Sequence, residues 1–200
     1  SQTQGDGALQ ADLHYLGRSG WFAGAWGSTI DSGYGDLGSF EVDLYAGWNW
    51  QLATDWAARL AYGRYLYPHA HHATDYDYGE FSARIAWRDR VTATVGWSPD
   101  SVRYALDGYP PDGYGAKSDT YSYELAVRQP LGPHLAATLG VAWYDNYYGI
   151  DYGSWNLGLN GRLGPFELEL AHFASGDEAR DTFGREAAGA RWALTALWRF

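Results

Sequence analysis

Charged side chains recur at alternate positions of extended, largely apolar segments. Glu41 and Asp43, for example, alternate with Phe40, Val42 and Leu44. In a β-strand this alternation places the carboxylates on one face and the apolar side chains on the other. A charged face that meets water can filter ions and small polar solutes. The same pattern puts these residues on the predicted polar, pore-lining face: Asp12, His14, Glu41, Asp43, Arg59, Glu80, Arg84, Glu124, Arg128, Arg162, Glu167, Glu169, Arg191 and Arg199.

Two further groups have side chains that could do chemistry. His69, His71 and His72 lie together in one predicted loop and are metal-ligand types, but their spacing matches no known zinc signature. A solvated loop is the preferred interpretation, and metal binding is the weaker one. His172 lies near Ser175, yet the chain has no GxSxG motif and no recognisable third partner for a hydrolytic triad. We therefore expect no enzyme.

Extended segments must position the charged residues, and the sequence predicts about eleven of them, each bounded by turn-forming residues. They cover residues 8–16, 21–29, 40–50, 56–66, 78–87, 91–98, 120–128, 135–144, 154–163, 166–175 and 188–200. The last segment, which ends on an aromatic residue, alternates as strictly as the others.

The connections between these segments alternate in length. Short ones cover residues 17–20, 51–55, 88–90, 129–134 and 164–165, and long ones cover 30–39, 67–77, 99–119, 145–153 and 176–187. Short turns at one end and long loops at the other are typical of an outer-membrane β-barrel. We therefore predict a single all-β domain over residues 1–200, a transmembrane antiparallel up-and-down barrel. A short helical turn is expected only within residues 178–190.

The number of strands in such a barrel is normally even, with both chain ends on the periplasmic side. Eleven segments ending at a periplasmic Phe200 leave Ser1 on the extracellular side. The sequence therefore predicts a barrel of about twelve strands with one N-terminal strand ahead of Ser1.

Composition excludes several other classes of protein. Mean hydropathy is −0.41, and no apolar run approaches the roughly 20 residues of a membrane helix. The chain has no Cys, which argues against disulfide scaffolds and thiolate metal sites. A net charge of −10 with Lys117 as the single lysine argues against nucleic-acid binding.

The polar face indicates which side meets lipid. It carries small residues such as Gly96, Gly140 and Gly158, which suit a crowded lumen better than a solvated outer surface. Tryptophans at the strand ends fit two interfacial girdles. They are Trp21, Trp50, Trp56, Trp87, Trp97, Trp143, Trp155 and Trp198. Arg64 departs from the pattern and is expected near the outer end or after a bulge.

Three N-terminal stretches carry a resemblance to a known family. They are SQTQGDGALQADLHY at residues 1–15, GWFAGAWGSTID at 20–31 and EVDLYAGW at 41–48. They resemble the TorF-type porins of Gram-negative bacteria, whose pattern has a further strand ahead of the SQT motif. The resemblance implies a small outer-membrane barrel with a pore function and transfers no catalytic residue.

The predicted polar face changes sign along the barrel. Glu41, Asp43, Glu80 and Glu124 belong to the outer halves of their strands. The inner halves carry Arg59, Arg84, Arg128, Arg162 and Arg199. One interpretation is a polar pore whose charges filter solutes. Another is that the charges pair across the lumen, with Glu167 and Glu169 next to Arg162 and Arg199.

These patterns lead to one expected function and two alternatives. We expect a channel in the bacterial outer membrane for passive diffusion of small hydrophilic solutes or ions, without a cofactor. The alternatives are a closed barrel that acts in adhesion through its loops and, more weakly, a lipid-modifying enzyme. Expected partners are outer-membrane lipid, lipopolysaccharide and small solutes, with self-association or another envelope protein left open. The sequence begins without a charged and apolar leader, so if the protein is exported we expect its signal peptide to have been removed.

Overall fold

The structure, a computed structural model, describes residues 9–29, 40–68, 76–102, 117–147 and 149–198. They form eleven strands and one helix. The strands are β1 (Gln10–Leu16), β2 (Trp21–Thr29), β3 (Phe40–Ala53), β4 (Trp56–Leu66), β5 (Tyr78–Trp87), β6 (Val91–Val102), β7 (Lys117–Pro130), β8 (Leu135–Tyr147), β9 (Ile150–Leu163), β10 (Phe166–Ser175) and β11 (Arg191–Trp198). The helix, α1 (Asp177–Ala188), lies between β10 and β11.

All eleven strands belong to one antiparallel sheet in which the order along the sheet is the order along the chain. Each strand pairs with its neighbour in sequence, from β1 with β2 to β10 with β11. This arrangement confirms the predicted all-β, up-and-down barrel topology. Every residue of β1 and β11 is exposed, on both faces of the strand.

The apolar face of each strand points outward. In β9, Trp155, Leu157 and Leu159 are each between 44% and 52% exposed, whereas Gly158 between them is buried. Large apolar side chains that are exposed along a whole sheet need an apolar surrounding instead of water. A lipid bilayer can provide one for β2 to β10, because each of these strands is paired with a neighbour on both sides.

Among the large apolar side chains at inward positions of the described strands, Phe22 is the most deeply buried. It is 5% exposed and lies over Gly47 on the neighbouring strand, where a Cβ atom would collide with its ring. Other buried interior positions carry the small residues Ser28, Ala136 and Ala171. Much of the inward face is therefore left to polar side chains.

Several predicted boundaries are wrong, mainly because strands extend beyond the apolar segments. The predicted loop at 145–153 is a tight reversal instead, since β8 and β9 pair up to Tyr147 and Ile150. Strands β3, β6 and β7 also run past their predicted ends. Backbone pairing does not require apolar side chains, so polar strand ends are invisible to hydropathy patterns.

The long connection predicted at 176–187 contains a helix, longer than the short helical turn expected within 178–190, and the predicted start of the last strand at residue 188 is wrong. Residues there form α1, whose first turn carries Asp177 and Glu178, favourable beside a helix N-terminus. The helix packs on β9 and β10, with Ala179 1% exposed, and β11 begins only at Arg191. In the described part of the chain, no helix is long and apolar enough to cross a membrane.

Arg64 faces outward near the end of β4, within a regular register and not after a bulge of its own strand. Its guanidinium donates to Asp100 Oδ2 at 2.6 Å. Asp100 Oδ1 also accepts from the backbone N–H of Gly79 at 2.7 Å. The exception to the charge pattern is therefore explained by an ion pair across two strands at the sheet's outer surface.

Candidate functional site

The candidate site is the inward face of the barrel. Residues opposite one another on paired antiparallel strands share a face, so the registers trace rows around the barrel. One inward row runs through Arg59, Arg84, Thr94, Glu124, Ala142, Ser154 and Ser175. We call the end with the short turns the inner end and the end with α1 the outer end.

The structure places all the predicted pore-lining residues that it describes at inward register positions: Asp12, His14, Glu41, Asp43, Arg59, Glu80, Arg84, Glu124, Arg128, Arg162, Glu167, Glu169 and Arg191. Arg199 lies outside the described residues. The predicted separation of acids at the outer end from arginines at the inner end has three exceptions. Arg191 is at the outer end of β11, and Glu167 and Glu169 are near the inner end of β10.

Near the outer end, the inner face of β5 to β9 encloses a recess of about 230 Å³, here called the carboxylate cavity. Two carboxylates from different strands, Glu80 and Glu124, line it together with hydroxyl and phenol groups. The other lining residues are Tyr78, Ser98, Ser101, Thr120, Ser122, Tyr144 and Tyr152. The carboxylate cavity thus brings acidic, hydroxyl and phenol groups of five strands together.

Tyrosines extend the carboxylate cavity towards two further acids. The Tyr78 ring stacks on Tyr65 with a centroid distance of 4.5 Å and an angle of 9°. Tyr65 lies opposite Asp43 in the β3–β4 register. Glu41, 8% exposed, accepts a hydrogen bond from the Tyr67 hydroxyl at 2.9 Å. The outer end of this wall is thus acidic and rich in hydroxyl groups.

Towards the inner end, arginines replace the acids. Arg59 and Arg84 lie directly opposite each other in the β4–β5 register, and the Arg59 guanidinium stacks over Phe22 at 3.9 Å from the ring centroid. Arg84 donates to the Thr92 hydroxyl at 3.4 Å. Arg128 and Arg162 are exposed near the inner ends of β7 and β9. We call Arg59, Arg84 and Arg128 the arginine cluster.

The arginine cluster lacks carboxylate partners among the described residues, where the ion pairs involve other cations. Arg162 lies opposite Glu167, but the described hydrogen bond of Glu167 comes from Asn160 Nδ2 at 3.1 Å. The alternative in which the arginines are neutralised across the lumen therefore has no described ion pair at Arg59, Arg84 or Arg128.

Asp12 and His14 form a small hydrogen-bonded network on β1. The Tyr45 hydroxyl donates to Asp12 Oδ1 at 2.6 Å, and His14 Nδ1 lies 3.2 Å from Asp12 Oδ2. Tyr45 reaches Asp12 across β2 because Gly24 has no side chain there to block its phenol ring. The network tethers β1, an exposed strand, to β3.

The other candidate groups do not assemble into a site. His172 faces outward between Trp155 and Trp192, with ring centroids 5.2 and 5.0 Å away, whereas Ser175 is at an inward position. His69, His71 and His72 lie outside the described residues. Residues 9–29, 40–68, 76–102, 117–147 and 149–198 contain no group of three acidic, histidine or cysteine side chains that could hold a metal.

Sequence reasoning missed the carboxylate cavity as a unit and the inward position of Phe22. Tyr78 shares its alternation with Glu80, which was an available signal for the cavity. The bulge that brings Ser98 and Ser101 together is a feature of pairing and has no signal of its own in the strand's hydropathy.

The fold and the charged inward face define a porin-like β-barrel. A solved structure titled as the NanC porin matches with a TM-score of 0.65, covering 96% of this chain and 93% of that one at 8% identity. Acinetobacter baumannii OccAB4 matches with a TM-score of 0.49 and 13% identity, covering 96% of this chain and 52% of the other. Among curated proteins, none matches in sequence.

The chain belongs to the family described as "Bacterial protein of unknown function (Gcw_chp)", whose model matches residues 1–192. The bacterial family and the porin-like fold agree with the resemblance drawn from the N-terminal sequence at this coarser level. The narrower TorF-type assignment stays a prediction.

Proposed function

We propose that this protein is a bacterial outer-membrane channel for the passive diffusion of small hydrophilic solutes or ions. The observation that carries the proposal is the state of the charges on the inward face. Arg84, Glu124 and Arg128 are exposed there, with no ion pair among the described residues. An unpaired charge is tolerated only where water or a counterion reaches it, so this face lines a hydrated path.

Two further features support the proposal. The outward face is mainly apolar, as a barrel wall in lipid must be, and its Arg64 is paired with Asp100 near the outer end. The fold matches that of a porin along nearly all of both chains. We propose no catalytic role, because the pair that most resembled catalytic machinery, His172 and Ser175, occupies opposite faces of β10.

Single-channel recording in planar bilayers tests the proposal. Purified, folded full-length protein is compared with Arg128→Ala, which removes an inward charge, and with Arg18→Ala, which removes an exposed charge from the turn between β1 and β2. Under a salt gradient we expect discrete conductance steps. The reversal potential should shift towards cation preference in Arg128→Ala and stay unchanged in Arg18→Ala.

Silent bilayers from folded protein would contradict the channel and favour a closed barrel that acts through its loops. An equal shift in both arginine variants would contradict the assignment of Arg128 to the pore lining, since Arg18 lies in a turn.

A further inference from the structure

The carboxylate cavity holds two acids without a described counter-charge. Glu80 on β5 and Glu124 on β7 flank β6 and line the same recess of about 230 Å³. Neither forms an ion pair among the described residues. Two neighbouring carboxylates repel each other, and a cation placed between them relieves that repulsion.

A second, independent feature of the cavity is the hydroxyl of Ser98. Ser98 is 3% exposed and lines the cavity, yet its Oγ has no hydrogen-bond partner in the described structure. Its cross-strand neighbour Thr120, also buried, donates to the Asn146 carbonyl at 3.4 Å. A buried hydroxyl left unsatisfied is unfavourable, so a group that enters the cavity and bonds to Ser98 gains from it.

The local backbone builds this recess. Ser98 and Ser101 are three residues apart, and regular alternation would place them on opposite faces of β6. The register shift between them turns both inward, where both are buried and line the cavity. Gly96 adds space, because a Cβ there would collide with the Ser122 hydroxyl and come within 3.5 Å of the Glu80 carboxylate.

The lining selects the kind of cation. A metal ion needs a denser set of ligands, and the described residues contain no group of three acidic or histidine side chains in reach of one ion. The volume is below the roughly 300 Å³ at which drug-sized sites begin. Tyr144 and Tyr152, stacked at 4.8 Å, add aromatic surface that favours an organic cation.

We propose that the carboxylate cavity is a binding site for small organic cations that carry primary ammonium groups, held between Glu80 and Glu124 with Ser98 as a hydrogen-bond acceptor. The site rests on the proposed channel, since it would be met by solutes on their way through the barrel. The proposal names small organic cations as a class of solute that binds in the outer half of the channel.

Isothermal titration calorimetry on folded full-length protein in detergent tests the site, with 1,4-diaminobutane as the probe and the uncharged butane-1,4-diol as its control. The variants are Glu80→Gln and Glu124→Gln, which keep side-chain shape. Glu169→Gln is the matched control, because Glu169 is an inward carboxylate of β10 outside the cavity. Circular dichroism verifies that each variant folds.

We expect the diamine to bind and the diol not to bind. Each cavity variant should weaken diamine binding by about tenfold, the loss of one charge-assisted hydrogen bond, while Glu169→Gln leaves it unchanged. A Ser98→Ala variant should weaken it by about threefold, because the lost hydrogen bond is to an uncharged acceptor.

Absence of diamine binding by the folded wild-type protein would overturn the site, and so would an equal loss in Glu169→Gln. Tight binding of Ca²⁺ that depends on Glu80 and Glu124 would overturn the choice of an organic cation. Conductance without diamine binding would keep the channel and remove the site. Diamine binding without conductance would keep the site and remove the channel.

Discussion

The carboxylate cavity and the arginine cluster lie on the same wall of the barrel and differ in how their charges are held. Glu80 is half-buried in a recess with hydroxyl groups around it. Arg84, on the same strand and the same face, is exposed and lies opposite another cation, Arg59. A recess can retain a solute, whereas an open cationic surface can only attract or repel it.

The difference has a structural cause. The outer part of β6 contains a bulge. The bulge brings Ser98 and Ser101 to the same face, where both line the carboxylate cavity. Around Arg59 and Arg84 the β4–β5 and β5–β6 registers are regular, and the Arg59 guanidinium stacks over the Phe22 ring.

The largest effect is expected from Phe22→Ala, which removes the ring that supports Arg59. Phe22 is 5% exposed, and truncation of a buried Phe typically lowers the free energy of unfolding by about 3 kcal/mol. Urea unfolding in lipid vesicles measures it. Phe81→Ala, an outward position that is 48% exposed, is the control and should cost less. Equal losses would show that the interior of the barrel is no better packed than its lipid face.

Gly96→Ala should impair the carboxylate cavity and leave the arginine cluster unchanged. The added methyl group displaces the Ser122 hydroxyl and crowds Glu80, so diamine affinity should fall by about tenfold, or about 1.4 kcal/mol. Calorimetry measures the affinity, and the reversal potential should stay that of the wild type. Gly140→Ala, where the new Cβ would meet Asn156 instead, should leave diamine binding intact. A reversal potential altered by Gly96→Ala would mean that the two regions are not independent.

Arg84→Glu reverses a charge of the arginine cluster. The cation-to-anion permeability ratio should rise about threefold, the factor that corresponds to a change of about one kT in local potential. The reversal potential under a salt gradient measures it. Arg90→Glu makes the same change in the turn after β5 and should have no effect. A fall in the permeability ratio would contradict a filtering role for Arg84.

The smallest effect, a change in stability, is expected at the inner turns, which belong neither to the carboxylate cavity nor to the arginine cluster. Arg88 donates to Asp55 Oδ2 at 2.9 Å, and this hydrogen bond lowers the pKa of Asp55. The pair therefore stabilises the fold above the ordinary pKa of Asp, and the contribution is lost as the pH falls through the lowered value. Asp55→Asn should lower the unfolding midpoint slightly at pH 7 and not at acidic pH. If Asp55→Asn destabilised the protein more at acidic pH than at pH 7, the assigned role of the Arg88–Asp55 pair would be contradicted.

Much of the fold was predictable because alternation is a local property of the sequence. The positions of Arg59, Arg84 and Glu124 on one face follow from counting in twos along each strand. The ends of β8 and β9 were not predictable, because their polar residues pair through the backbone alone. The location of helix α1 was predicted as a short helical turn, but its full length of twelve residues was not, since they are mostly polar.

The candidate site was predictable in part. Alternation along each strand determines which residues face inward. The pairing register and the bulges determine which of those residues come together. Arg64 and Asp100 are 36 residues apart and pair only because β4, β5 and β6 lie side by side. Likewise, Glu80 and Glu124 line one cavity because β5, β6 and β7 lie side by side. Such juxtapositions have no signature within any one segment.

The central claim, that one face of the wall meets water and the other lipid, has a direct test because the chain contains no Cys. Thr94 lies on the inward row between Arg84 and Glu124, and Val95 beside it faces outward. Thr94→Cys and Val95→Cys variants in lipid vesicles are treated with a charged, membrane-impermeant thiol reagent. We expect rapid modification of Thr94→Cys and protection of Val95→Cys. Modification of Val95→Cys with protection of Thr94→Cys would contradict the central claim.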